Sequence, residues 1–239
     1  MCIRRIDSLW ASLLLCGIAL SGCQFYTASV PASDYYYLNP TKDLYDVGSV
    51  AIVEMENNSS YPAIGSDMTQ ALFLALQKKQ IFSLLVVRQD DPSWRSLQPA
   101  PSGASNGERD GSTATAKYSP EQLSTIRKTL NCNGLFTGTV TRYQPYPHMV
   151  LGLRLKLVDL RDGRLLWAAE QIWDAADKAT AKRIKQYSGR QMPSDVSALR
   201  EQLVTVSPLG FIDFVAYEVA RTLDGDSGQW HVAVLGYGR

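Results

Sequence analysis

"MVLGLRLKLVDLRDGRLLWAAEQIW" (residues 149–173) decides the architecture. Met149, Leu151, Leu153, Leu155 and Leu157 alternate with mostly polar or small residues, the period of a strand with one buried face. Asp162-Gly163 follows, a dipeptide suited to the left-handed backbone of a tight hairpin turn. Apolar character resumes in "RLLWAAEQIW" (164–173), so the pattern predicts two antiparallel strands joined through "LRDG". Just upstream, "LFTGTVTRY" (135–143) reads as a third strand, tied to the second by the short link "QPYPH". The three form an antiparallel meander.

Nearer the N-terminus, "VGSVAIVEM" (47–55) is a short apolar run rich in β-branched residues, a buried strand. In "IGSDMTQALFLALQKKQ", Ile64, Met68, Ala71, Leu72, Ala75 and Leu76 fall at helical spacing, with Ser66 or Asp67 expected as cap. "IFSLLVVR" (81–88) is another strand, and a strand–helix–strand unit normally gives two parallel strands. Residues 90–118 are dominated by Pro, Ser, Gly and Ala, a composition that predicts a disordered insertion. Ser119, Pro120 and Gln122 then spell a capped helix start, with Leu123, Ile126 and Leu130 on one face and Gly134 as the expected stop.

Beyond the meander, "DAADKATAKRIKQYSG" reads as a basic helix. Ser207 opens the last helix (207–223), which carries Ile212, Val215, Ala216, Val219, Ala220 and Leu223 on one face. The closing "GQWHVAVLGYGR" suits a short edge strand. The expected fold is an α+β sandwich with a mixed sheet of about five strands: a β-α-β unit, a helix, the antiparallel meander and a C-terminal helix. One domain over residues 47–239 accounts for it.

The N-terminus has a different character. Arg4 and Arg5 precede an apolar core from Leu9 to Leu20, the layout of an export signal. That core is too short to cross a bilayer, which takes about 20 residues. It ends on Leu20-Ser21-Gly22-Cys23, which looks like the bacterial lipobox. The resemblance implies that residues 1–22 are a signal peptide and that Cys23 is diacylated on sulfur and acylated on its new amino terminus. Several acyl chains hold firmly where one binds only marginally. Gln24 in place of Asp points, under the sorting rule of enteric bacteria, to the outer membrane and its periplasmic face. Residues 23–46 then form the lipidated cysteine and a tether. Within it Tyr35-Tyr36-Tyr37 either packs as an edge strand, the preferred reading, or awaits a partner.

The chemistry-bearing residues are sparse. The chain has 239 residues and a formal charge of +1, so no excess of basic charge points to nucleic acid. Cys2 and Cys16 lie in the signal peptide, leaving Cys132 as the free thiol, expected buried and inert. His148 and His231 stand in no metal or triad context, and no catalytic group, metal or cofactor is expected. Asp159 and Asp162 are accounted for by the hairpin turn, and Trp167 and Trp173 by the sheet. Lys178, Lys182, Arg183 and Lys185 suit an anionic partner or lipid headgroups, with a plain solvated helix face as the alternative.

Four segments carry a resemblance: "VGSVAIVEM", "DMTQALFLALQKKQIFSLL", "LNCNGLFTGTVTRY" and "LGLRLKLVDLRDGRLLWAAE", the last with Asp159 and Gly163 in D-x-x-x-G places. Over residues 47–223 the chain resembles the superfamily of the curli secretion lipoprotein, the lipoprotein activators of penicillin-binding proteins and the N-terminal domain of TolB. The resemblance implies a non-enzymatic envelope lipoprotein that binds another envelope component, as accessory to secretion, transport or cell-wall assembly. Two departures stand out. "QPYPH" is too short to send out a membrane-spanning hairpin, and the tether is short for crossing a cell-wall layer. "YYYLNP" is similar to the opening of auxiliary lipoproteins of ABC-type lipid or solute transporters, the alternative reading. A periplasmic hydrolase is a remote one. Relatives form rings, which leaves homo-oligomerisation open.

Overall fold

A computed structural model describes residues 36–98, 118–191 and 201–223. The Leu20–Cys23 motif, Tyr35, His231 and the C-terminal strand expectation lie outside the described residues. The architecture is a mixed α/β sandwich around a seven-stranded sheet, ordered β1-β7-β6-β5-β2-β4 with β3 paired to β5. The strands are β1 (Tyr36–Leu38), β2 (Ser49–Val53), β3 (Glu56–Asn57), β4 (Ser83–Val87), β5 (Gly134–Gln144), β6 (Val150–Asp159) and β7 (Leu165–Asp174). The helices are α1 (Ile64–Lys79), α2 (Pro92–Leu97), α3 (Pro120–Leu130), α4 (Lys178–Gln191) and α5 (Pro208–Thr222), with residues 201–206 also helical.

The meander is as the alternation predicts. β5 pairs antiparallel with β6 from Gly134↔Asp159 to Gln144↔Val150, and β6 pairs with β7 from Val150↔Asp174. Gly163 takes φ +73° in the connecting turn. β2 pairs parallel with both β4 and β5, as strand–crossover–strand units require. The two strands beyond the expected five are β1 and β3. β3 continues the line of β2 along β5, at Glu56↔Thr139 and Asn57↔Val140, once β2 has parted from β4.

Two cores follow from the alternation of strand side chains. Val50, Ile52, Phe136, Val140, Leu151, Leu153, Leu155 and Leu157 face α1, α4 and α5, where Phe136 stacks on Trp167 at 5.6 Å. Ala51, Val53, Val87 and Leu135 face α2 and α3, meeting Trp94, Leu97, Leu123, Ile126 and Cys132. Trp167 and Trp173 are buried, as expected of sheet residues. Cys132 is buried too, and that burial pushes its thiol pKa up.

Helix ends divide into those the sequence spells and those it misstates. Ser119 and Gln122 form the reciprocal capping box, and Ser207 Oγ accepts from Gly210 N–H. Gly134 is not the stop of α3: Asn131, in the left-handed region, closes the helix and Gly134 begins β5. Nor do Ser66 or Asp67 cap α1. Its N-cap is Ala63, without a side-chain bond, and Ser66 donates to Ala63 O from inside the helix. What seats α1 is close approach: Thr69 Oγ1 accepts from Met55 N–H at 3.0 Å and donates to Gly65 O at 2.7 Å. A Cβ on Gly65 would stand 2.6 Å from Met55 O. Gly65→Ala is therefore expected to cost about 1–3 kcal/mol in urea unfolding, because a helix or a strand must shift.

Two boundaries are corrected. The expected insertion at 90–118 fails over its first residues, where Asp91 caps α2, which buries Trp94 and Leu97; residues 99–117 lie outside the described residues. The expected tether through residue 46 is also too long. Tyr36–Leu38 pair with Trp167–Ala169 of β7, and a 3-10 helix, Leu44–Val47, buries Leu44 and Val47. The edge-strand reading of Tyr36 and Tyr37 therefore holds, and residues 36–47 are a strap across the domain.

Candidate functional site

The strap is fastened at the β6–β7 turn. Asn39 donates from Nδ2 to Leu165 O (3.0 Å) and from its N–H to Leu166 O (2.8 Å). Lys42 Nζ reaches Asp159 (2.8 Å) and Asp162 (2.5 Å). Asp159 is fully buried and also accepts from the Nε, Nη2 and backbone N–H of Arg161. Burial pushes its carboxyl up, but the bonds from Arg161 and Lys42 outweigh that and hold its pKa at about 2. An ordinary hairpin turn thus explains Asp162 but not Asp159, which is the buried anion of an ion cluster. Lys42, 117 residues away in the chain, is the member that sequence reading missed. Alternation does not register such a contact.

A polar cleft of about 170 Å³ opens at the carboxyl ends of β2 and β4, where open α/β sheets commonly bind ligands. Glu54, Glu56, Gln89, Trp94, Tyr118 and Thr137 line it. Gln89 N–H donates to Glu54 Oε2 (3.1 Å), its Nε2 donates to Glu54 O (2.8 Å), and Thr139 donates to Glu56 Oε2 (3.3 Å). These bonds hold the kink between β2 and β3.

Beside the cleft lies a broad strand surface. The described helices on this side, α2 and α3, share their core with β2, β4 and the start of β5. Arg154 and Glu170, opposite each other on β6 and β7, pair at 2.7 Å. Ile172 is 56% exposed and Tyr37 46%. An aromatic, an aliphatic and two charged side chains therefore share one open sheet face.

The sequence-singled cations of α4 part company. Lys178, Lys182 and Lys185 are exposed, whereas Arg183 is buried and is not available to a partner. Arg183 Nε lies 2.9 Å from Glu218 Oε2, out of hydrogen-bond alignment, and its Nη2 donates to Thr180. The helical period turns 178, 182 and 185 outward and 183 inward, a distinction blurred when the four are taken as one basic run. Burial pushes Glu218 up to about 7, against the pull of Arg183, Arg221 and Arg190.

His148 sits on the exposed β5–β6 turn, 3.4 Å from Asp174. Among the described residues no group of three or more His, Cys, Asp or Glu is placed to hold a metal, and no helix is long and apolar enough to cross a membrane.

No family model matches the chain, and no curated protein does. Among solved structures it is similar to the PelC dodecamer from Paraburkholderia phytofirmans, at 15% identity and TM-score 0.40, over 77% of this chain and 94% of that one. It is similar to lipoprotein GNA1162 from Neisseria meningitidis, at 16% identity and TM-score 0.37, over 66% and 94%. A third is the LpoB C-terminal domain from Salmonella enterica, at 17% identity and TM-score 0.34, over 53% and 82%.

Proposed function

We propose that this chain is a lipid-anchored envelope lipoprotein, held through Cys23 at the periplasmic face of the outer membrane. Its domain binds another envelope protein and serves as a non-enzymatic accessory to secretion, transport or cell-wall assembly. The observation that carries the binding role is the open face of β6, β7 and β1. Ile172 and Tyr37 are large and exposed there, on either side of the Arg154–Glu170 pair, a mixture of apolar and charged side chains of the kind protein interfaces use. The other conspicuous charges are already engaged inside the molecule: Asp159 by Lys42 and Arg161, Arg183 by Glu218. Within "YYYLNP", residues 36–39 form β1 and its Asn39 anchor.

A photoreactive residue placed at Ile172 in cells is expected to capture one envelope protein in stoichiometric amount. The same residue at Leu74, exposed on α1, should not. Adding Arg154→Glu should abolish the capture. Recovery of lipid alone, or equal capture from both positions, contradicts the binding role.

A further inference from the structure

The two ends of the sheet differ in what they expose. β5 ends at Gln144, β6 begins at Val150 and β7 ends at Asp174, so the 145–149 turn and the start of α4 share one end. β1 runs antiparallel to β7 with Tyr36 opposite Ala169, so the N-terminal end of β1 faces that same end. Tyr146 stands at the tip of the turn, 82% exposed. Below it Tyr61, 43% exposed, meets Tyr143 edge to face at 5.1 Å. The Tyr143 phenol is pushed up first by burial and then by the nearby Tyr61, Asp67 and Tyr146, and the three tyrosines lie at the same end of the sheet. The acids at this end are Asp67, Asp174, which lies against His148, and Asp177, which accepts from Thr180 N–H and Oγ1. Lys178 and Lys182 extend this end along α4 as exposed cations.

Twelve residues separate Cys23 from Tyr36. Such a stretch spans at most about 45 Å and, as a flexible coil, about 20 Å. The strap removes residues 36–47 from the tether, so an anchor at Cys23 is connected to the domain through the N-terminal end of β1.

We infer that the Tyr61–Tyr143–Tyr146 end, with Lys178 and Lys182, docks on the bilayer that holds the acyl chains, its tyrosines at headgroup depth. The inference rests on the acylation of Cys23 proposed above. Tyrosine suits that depth because its ring is apolar and its hydroxyl wet, and lysine adds attraction to anionic headgroups. The surface left pointing away from the bilayer includes the 3-10 helix, where Tyr45 is 63% exposed.

The protein, expressed from its full sequence in a bacterium that processes lipoproteins and reconstituted in phosphatidylcholine vesicles containing phosphatidylglycerol, tests this. An environment-sensitive fluorophore is attached at His148→Cys or, as the far-end control, at Tyr45→Cys; buried Cys132 stays unlabelled. Headgroup-quencher lipid is expected to quench the label at 148 and shift its emission to the blue, and to leave the label at 45 unchanged. Adding Tyr146→Ser should remove the quenching at 148. Equal signals from 148 and 45, or quenching at 148 that survives Tyr146→Ser, overturns the docking. Protein that washes off the vesicles altogether overturns the acylation reading, and the docking with it, by a separate readout.

Discussion

The double variant Lys42→Ala/Arg161→Ala is expected to lose about 3–5 kcal/mol of stability in urea unfolding at pH 7, since it strands a buried anion. Asp159 is fully buried and its charge is compensated by those two side chains. Either single variant leaves one cation in place and should cost less. Lys42 and Arg161 are themselves 22% and 36% exposed, so Asp159→Ala frees cations that water can reach and is the milder change. The pH dependence has a definite sign. The carboxyl is held at about 2, below its ordinary 3.8, so its contribution is present above pH 3.8 and is lost as pH falls through about 2. That limb amounts to about 2 kcal/mol and should vanish in the double variant. A loss under about 1 kcal/mol, the worth of a surface pair, refutes the buried-cluster account.

Glu218 works in the opposite direction. Its carboxyl is raised from 4.5 to about 7, burial being the first cause and Arg183, Arg221 and Arg190 the partial offset. The stability that belongs to the protonated form is full below pH 4.5 and gone once pH passes about 7. Raising pH from 5 to 8 should therefore cost about 3 kcal/mol through this one group. Glu218→Gln, which cannot ionise, is expected to abolish that slope. Unfolding midpoints of both proteins across this range check it, and an unchanged slope in the variant refutes it. Because the pair joins α4 to α5, loosening at high pH should appear first as faster amide exchange in α4.

Much of the architecture was legible locally. The alternation of Met149–Leu157, the Asp162-Gly163 turn and the Ser119/Gln122 box each act within a few residues, and each stands in the structure as read. Their signal is the periodicity of a single strand or helix, and that periodicity is set by backbone geometry alone. The boundaries that were missed depend on distant partners. "YYLNPTKD" (36–43) carries no period, yet pairing with β7 and the Lys42–Asp159 bond turn it into a strap.

The candidate surfaces divide in the same way. The Leu20-Ser21-Gly22-Cys23 sequence and the spacing of Lys178, Lys182 and Lys185 are written in the chain, as is the shortness of "QPYPH". Only packing decided that Arg183 turns inward to Glu218, that Asp159 is a buried anion, and that Tyr61 joins Tyr143 at one end of the sheet. Local order follows from near neighbours in sequence, whereas burial and charge pairing are sums over neighbours in space, which the chain specifies only once it has folded.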